Sequence, residues 1–100
     1  AGQHTLVLLQ EQEGAQGIYL EFESTSLAMD GIVNFYEQKL RRIHPGKRNI
    51  QYDISDLFAF LDALGDLAAL TLDPRTKQYG PHDRQWCKDH IFRHLRRQAG

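Results

Sequence analysis

Apolar and polar positions change period several times along the chain. The run "HTLVLLQ" (His4–Gln10) is β-type, and "IYLEFE" (Ile18–Glu23) alternates with the period of two that marks a strand. The polar "EQEGAQG" (Glu11–Gly17) between them carries two glycines and reads as a hairpin loop. "STS" (Ser24–Ser26) then supplies side-chain oxygens that cap a helix N-terminus. Met29, Ile32, Val33, Tyr36, Leu40 and Ile43 follow at the helical period, with Asp30, Asn34, Glu37, Gln38 and Arg41 opposite. "HPGKRN" (His44–Asn49) ends that helix, because proline cannot continue it and glycine frees the chain to turn.

The next stretch, "IQYDISDLFAFLDALGDL" (Ile50–Leu67), sets four aspartates among leucines and phenylalanines. Asp53 is placed as an N-cap, and Asp56 three residues on gives the acid of a capping-box pattern. Ile54, Leu57, Phe58, Leu61 and Leu64 share one face, while Asp56, Asp62 and Asp66 cluster on the other. A catalytic carboxylate pair needs burial to raise its pKa, and nothing apolar neighbours these acids on their own side. They read as one cap and a wet face.

"ALTL" (Ala69–Leu72) reads as a third strand, "DPRTK" (Asp73–Lys77) as a turn and "QYG" (Gln78–Gly80) as a short fourth strand. "PHDRQ" opens a last helix, with Asp83 as N-cap and Trp86, Ile91 and Leu95 on its inner side. The order β-β-α-α-β-β-α over residues 1–100 predicts one α+β domain, a four-stranded antiparallel sheet with three helices on one face.

Such a sheet should alternate apolar and polar, yet the first strand is apolar on both sides. Leu6 and Leu8 point one way with the polar His4 and Gln10, while Thr5, Val7 and Leu9 point the other. Leu20 and Phe22 share a side of the second strand, with Tyr19 opposite. A contiguous apolar patch marks an interface, so self-association through the open sheet face is expected. Polar residues bracketing an apolar pair suit the rim and centre of that interface, which assigns Leu6 and Leu8 to a dimer and Val7 and Leu9 to the core. The expected interface is His4, Leu6, Leu8, Leu20, Phe22, Leu70, Leu72 and Tyr79.

Composition narrows the function classes. With 41% hydrophobic and 25% charged residues the chain is ordinary for a globular fold, and a net charge of −1 supplies no global field for nucleic acid or membrane. The longest apolar runs fall short of a membrane span or signal-peptide core, and a lone Cys87 forms no internal disulfide; both suggest an intracellular default. The chain opens on Ala1-Gly2 without methionine, as a trimmed start would. Cys87, His90 and His94 fall on one side of the last helix and make the only tempting zinc pattern, but it lacks a fourth ligand, and Cys87 beside Trp86 and Ile91 reads as a small hydrophobe. No metal and no cofactor is expected. "FRHLRRQ" (Phe92–Gln98) makes Arg93, Arg96 and Arg97 the candidate RNA contacts, although cations also complement the negative end of a helix. Without a glycine-rich phosphate loop or an RNA-binding signature, direct nucleic-acid binding is the lesser alternative, and no enzymatic constellation is present.

From "HTLVLLQ" through "YLEFES", "AMDGIVNFYEQKL" and "NIQYDISDLFAFLDALGDLAAL" to "YGPHDRQWCKDHIFRHLRRQA", the chain resembles the enhancer of rudimentary homologs. The most specific block is "YDISDLFAFLD" with the later "DRQW". The resemblance implies a small nuclear protein without enzymatic activity, dimerising through the sheet into a barrel-like core. It further implies an adaptor that binds short segments of RNA-processing and transcription factors, with links to splicing, transcript elimination, the cell cycle and pyrimidine metabolism. Animal members often carry two casein kinase II sites near the second strand. Here the first falls at Ile18, which takes no phosphate, and Ser24 stands as the candidate site although "STSL" lacks the acid that kinase prefers.

Overall fold

The computed structural model describes residues 3–99, so the Ala1-Gly2 start lies outside the described residues. The elements are β1 (Thr5–Gln10), β2 (Ile18–Phe22), α1 (Thr25–Ile43), α2 (Ile54–Ala63), β3 (Asp66–Asp73), β4 (Gln78–His82) and α3 (Arg84–Ala99). The strands form one antiparallel sheet in the order β2-β1-β3-β4, with three helices, as the α+β reading expects.

Each helix starts where a side chain can satisfy its free amides. Ser24 Oγ accepts the Leu27 N–H at 3.1 Å, and Asp83 Oδ1 accepts the Trp86 N–H at 2.9 Å. At α2 the capping box is complete: Asp53 Oδ1 accepts the Asp56 N–H at 3.0 Å, and Asp56 Oδ2 accepts the Asp53 N–H at 3.1 Å. The Ser55 hydroxyl also donates to Asp53, and these hydrogen bonds hold its carboxyl below the ordinary value of 3.8.

The core lies between the sheet and the helices. Val7 and Leu9 of β1 and Leu67 and Ala69 of β3 are sealed under Met29 and Ile32 of α1, Leu57 and Leu61 of α2, and Cys87 and Ile91 of α3. Thr5 is the one fully buried polar residue among the described residues: its hydroxyl donates to the Gln3 carbonyl at 2.9 Å, and the Thr25 hydroxyl lies 3.1 Å away to donate in turn.

Several expectations need correction. Leu20 and Phe22 do not lie on the open face. Leu20 pairs with Val7 and Phe22 with Thr5, and directly paired residues share a side, so both point under the helices and pack against the core. The space for Phe22 comes from Gly31 in mid-α1, where an added Cβ would lie 2.3 Å from the Phe22 ring. β3 begins at Asp66, not Ala69, so Asp66 belongs to the sheet rather than to the wet face of α2. β4 runs on to His82. Ile43, placed with the inner face of α1, is 58% exposed at the last residue of that helix, and Ile54 is also exposed.

Two stability outcomes follow. Alanine in place of glycine ordinarily steadies a helix by about 1 kcal/mol. Gly31→Ala should instead destabilise by about 1–3 kcal/mol through the Phe22 clash, and a raised urea midpoint would show that the ring does not rest there. For Asp53 the folded carboxyl titrates below its unfolded value, so its contribution is present at neutral pH and lost as pH falls through and below 3.8. The gap in urea midpoint between wild type and Asp53→Ala should therefore be clear at neutral pH and close on acidification.

Candidate functional site

The sheet side away from the helices carries an apolar strip along its two central strands. Leu6 pairs with Leu70 and Leu8 with Ala68, so these four point together; Leu72 follows on β3 beside Tyr79 of β4. All but Tyr79 are half-buried by their sheet neighbours alone, whereas Tyr19, paired with Leu8, is 72% exposed. Polar groups close one end of the strip. His4 reaches Tyr79 Oη at 2.7 Å through Nδ1 and Glu21 Oε1 at 3.0 Å through Nε2. A carboxylate only accepts, so Nε2–H donates to Glu21; a neutral ring then accepts the Tyr79 O–H at Nδ1, and every group is satisfied. His4 thereby ties both outer strands across the inner pair.

Of the interface residues expected from the sequence, the structure brings His4, Leu6, Leu8, Leu70, Leu72 and Tyr79 together on this face and puts Leu20 and Phe22 on the other. Sequence reasoning missed Tyr19, Glu21, Ala68 and Pro81, which register sets beside Leu8, Leu6, Leu8 and Leu70 respectively. The alternation of "IYLEF" was the signal for Tyr19 and Glu21, but its phase against β1 was not legible.

The other candidate groups are engaged elsewhere. Cys87 is fully buried, and burial, helped by the charge of Asp83, pushes its thiol up to about 12. His90 donates Nδ1–H to the Trp86 carbonyl at 3.0 Å and stacks on the Trp86 ring at 3.8 Å. His82 stacks on the opposite side of Trp86 at 4.0 Å, with Nε2 2.8 Å from Thr71 Oγ1; burial and the neighbouring His90 lower its pKa. His94 meets Asp30 at 2.6 Å. Among the described residues no group of three or more His, Cys, Asp or Glu is placed to hold a metal ion. Asp62, on the wet face of α2, meets Lys88 at 2.8 Å and remains largely exposed.

Ser24 is occupied as the α1 cap. Arg93, Arg96 and Arg97 are exposed near the end of α3, with Arg96 over the Phe92 ring at 5.5 Å, and none makes an ion pair among the described residues.

With this geometry in hand, comparison with known proteins is informative. The family model described as "Enhancer of rudimentary" matches residues 1–100. The chain is 46% identical over 100 residues to an "Enhancer of rudimentary homolog" of Arabidopsis thaliana, covering 99% of this chain and 92% of that protein. It is 41% identical over 97 residues to the homolog of Dictyostelium discoideum, covering 96% and 97%, and 38% identical over 91 residues to that of Caenorhabditis elegans, covering 90% and 88%. These relatives are not named as enzymes.

The burial of Cys87 has a direct readout. A thiol reagent at mildly alkaline pH should label the native protein far more slowly than the guanidinium-unfolded chain, because little thiolate forms below about 12 and the sulfur is sealed. Fast stoichiometric labelling of native protein would overturn its role in packing.

Proposed function

The chain belongs to the enhancer of rudimentary family, and on that premise we propose that it is a small, non-enzymatic nuclear adaptor working as a homodimer through its open sheet face. It binds short segments of RNA-processing and transcription proteins and so acts in splicing, transcript elimination, transcriptional control and the cell cycle, with a link to pyrimidine metabolism. The observation that carries this reading is the uncovered apolar strip of Leu6, Leu8, Ala68, Leu70 and Leu72. Contiguous apolar area left open on a small sheet favours a partner, and the polar His4–Tyr79–Glu21 closure supplies a rim around a dry centre. The same patch on two copies is self-complementary about a two-fold axis. Groups that could serve chemistry are buried, stacked or capping, which supports a binding role over catalysis.

A dimer of this kind buries on the order of 1,200–2,000 Å² in total. Leu6→Arg with Leu8→Arg places like charges in its centre, a penalty of several kcal/mol per buried ion. The double variant should run as a monomer, or aggregate through the exposed face, in light scattering, and lose nuclear partners in pulldown where both subunits form the groove. A variant that stays dimeric would remove the open face as the interface. A folded monomer that keeps its partners would show that each subunit binds alone.

A further inference from the structure

Trp86, the one tryptophan of the chain, is held between two histidines drawn from different elements. His82 ends β4, and its ring lies 4.0 Å from that of Trp86 with 13° between the planes. His90, one turn further along α3, covers the other face at 3.8 Å and 26°. All three residues are half-buried. A groove lined by Pro81, His82, Asp83 and Trp86 opens beside one end of the stack, and a cavity of about 210 Å³ with Trp86 and His90 in its wall lies beside the other.

β4 is an edge strand, paired with β3 alone. At its end the His82 side chain makes two ties inward, the stack on Trp86 and a 2.8 Å hydrogen bond between Nε2 and Thr71 Oγ1 of β3. A charged ring keeps the bond to Thr71 but sets a cation in a half-buried site facing a second imidazole. Burial, then His90, lower the His82 pKa from 6.5, against a smaller upward pull from Asp83, whose carboxylate also accepts the Trp86 N–H. β3 brings only the uncharged Thr71 to His82. On the His90 side the titratable and charged groups of the cavity wall are His90, His94 and Arg97, and Asp30 of α1 is taken by His94 at 2.6 Å and Gln98 at 3.3 Å. The folded His82 ring thus binds its proton less readily than the unfolded one. Its ties are at full strength above pH 6.5 and weaken as pH falls through and below that value.

We propose that the His82–Trp86–His90 stack is a proton-operated catch on the sheet: with neutral rings it holds the end of β4 against α3, and charging them frees that end. The release is local, because Val7, Leu9, Leu67 and Ala69 of the central strands stay sealed in the core. The catch works whether or not the open face binds a partner.

Acrylamide quenching of Trp86 fluorescence tests this on the intact protein, because acrylamide is uncharged and no other tryptophan contributes. From about pH 7.5 to about pH 5 the wild-type quenching constant should rise about twofold or more, and return on neutralisation. Over the same range the protected amides of β4 should exchange about threefold or more faster relative to those of β1, each corrected for its intrinsic rate. His82→Phe keeps a ring on Trp86 without a charge, and its quenching should stay low at both pH values. His82→Gln can still bond Thr71 but cannot stack, and it should show the higher quenching already at neutral pH. The proposal falls if wild-type quenching is the same at both pH values, or if His82→Phe rises as far as wild type, which would place the titrating group elsewhere. It also falls if His82→Gln is as closed as wild type at neutral pH, or if β1 loses protection together with β4, which would mean global unfolding.

Discussion

A single layer of three helices has to seal a four-stranded sheet, and it reaches one side only. Val7, Leu9, Leu67 and Ala69 fill that side on the two central strands, with Leu20 and Phe22 joining from β2. Because side chains alternate with a period of two, this commits Leu6, Leu8, Ala68 and Leu70 to the other side. Fully burying a leucine is worth roughly 1.5–3 kcal/mol, and those left half-covered realise only part of it. The fold is therefore complete on one face and has apolar area still to cover on the other.

Polar side chains do the local fitting. Ser24, Asp53 and Asp83 satisfy helix amides, the Thr25 hydroxyl donates to that of Thr5 at the start of β1, and Trp86 is sandwiched between two histidines. Arg84 reaches back to the Asp62 and Leu64 carbonyls at 2.8 and 2.9 Å, taking up acceptors left by the end of α2. Every buried side-chain nitrogen and oxygen among the described residues has a partner. The histidines and cysteine that invite a chemical reading are held in this scaffold.

What was legible in the sequence was local. The capping box at Asp53 and Asp56 and the buried stripe of α1 depend on residues three or four apart, so pattern alone reaches them. The side of β2 that meets the helices was not legible, because it is fixed by register against β1 and by the gap that Gly31 leaves for Phe22, two residues far apart in the chain's pattern. The start of β3 was missed for a similar reason. Gly65 ends the α2 region where an added Cβ would lie 2.6 Å from the backbone of Gln12 and Glu13, so the β1–β2 loop decides the break. "HPGKRN" read as a helix terminator, and α1 does end at Ile43, where the chain turns over His44–Lys47.

The sheet order has a kinetic consequence. β1–β2 and β3–β4 are hairpins that can close locally, but the central ladder joins Thr5 to Thr71 across roughly two-thirds of the chain. That closure has to bring the hairpins together around α1 and α2, and non-local pairing of this kind slows folding. Until it happens, β1 and β3 each present an unpaired apolar edge, the kind of surface that recruits other chains. A newly made chain is thus most vulnerable to aggregation in the interval between two finished hairpins and one finished sheet.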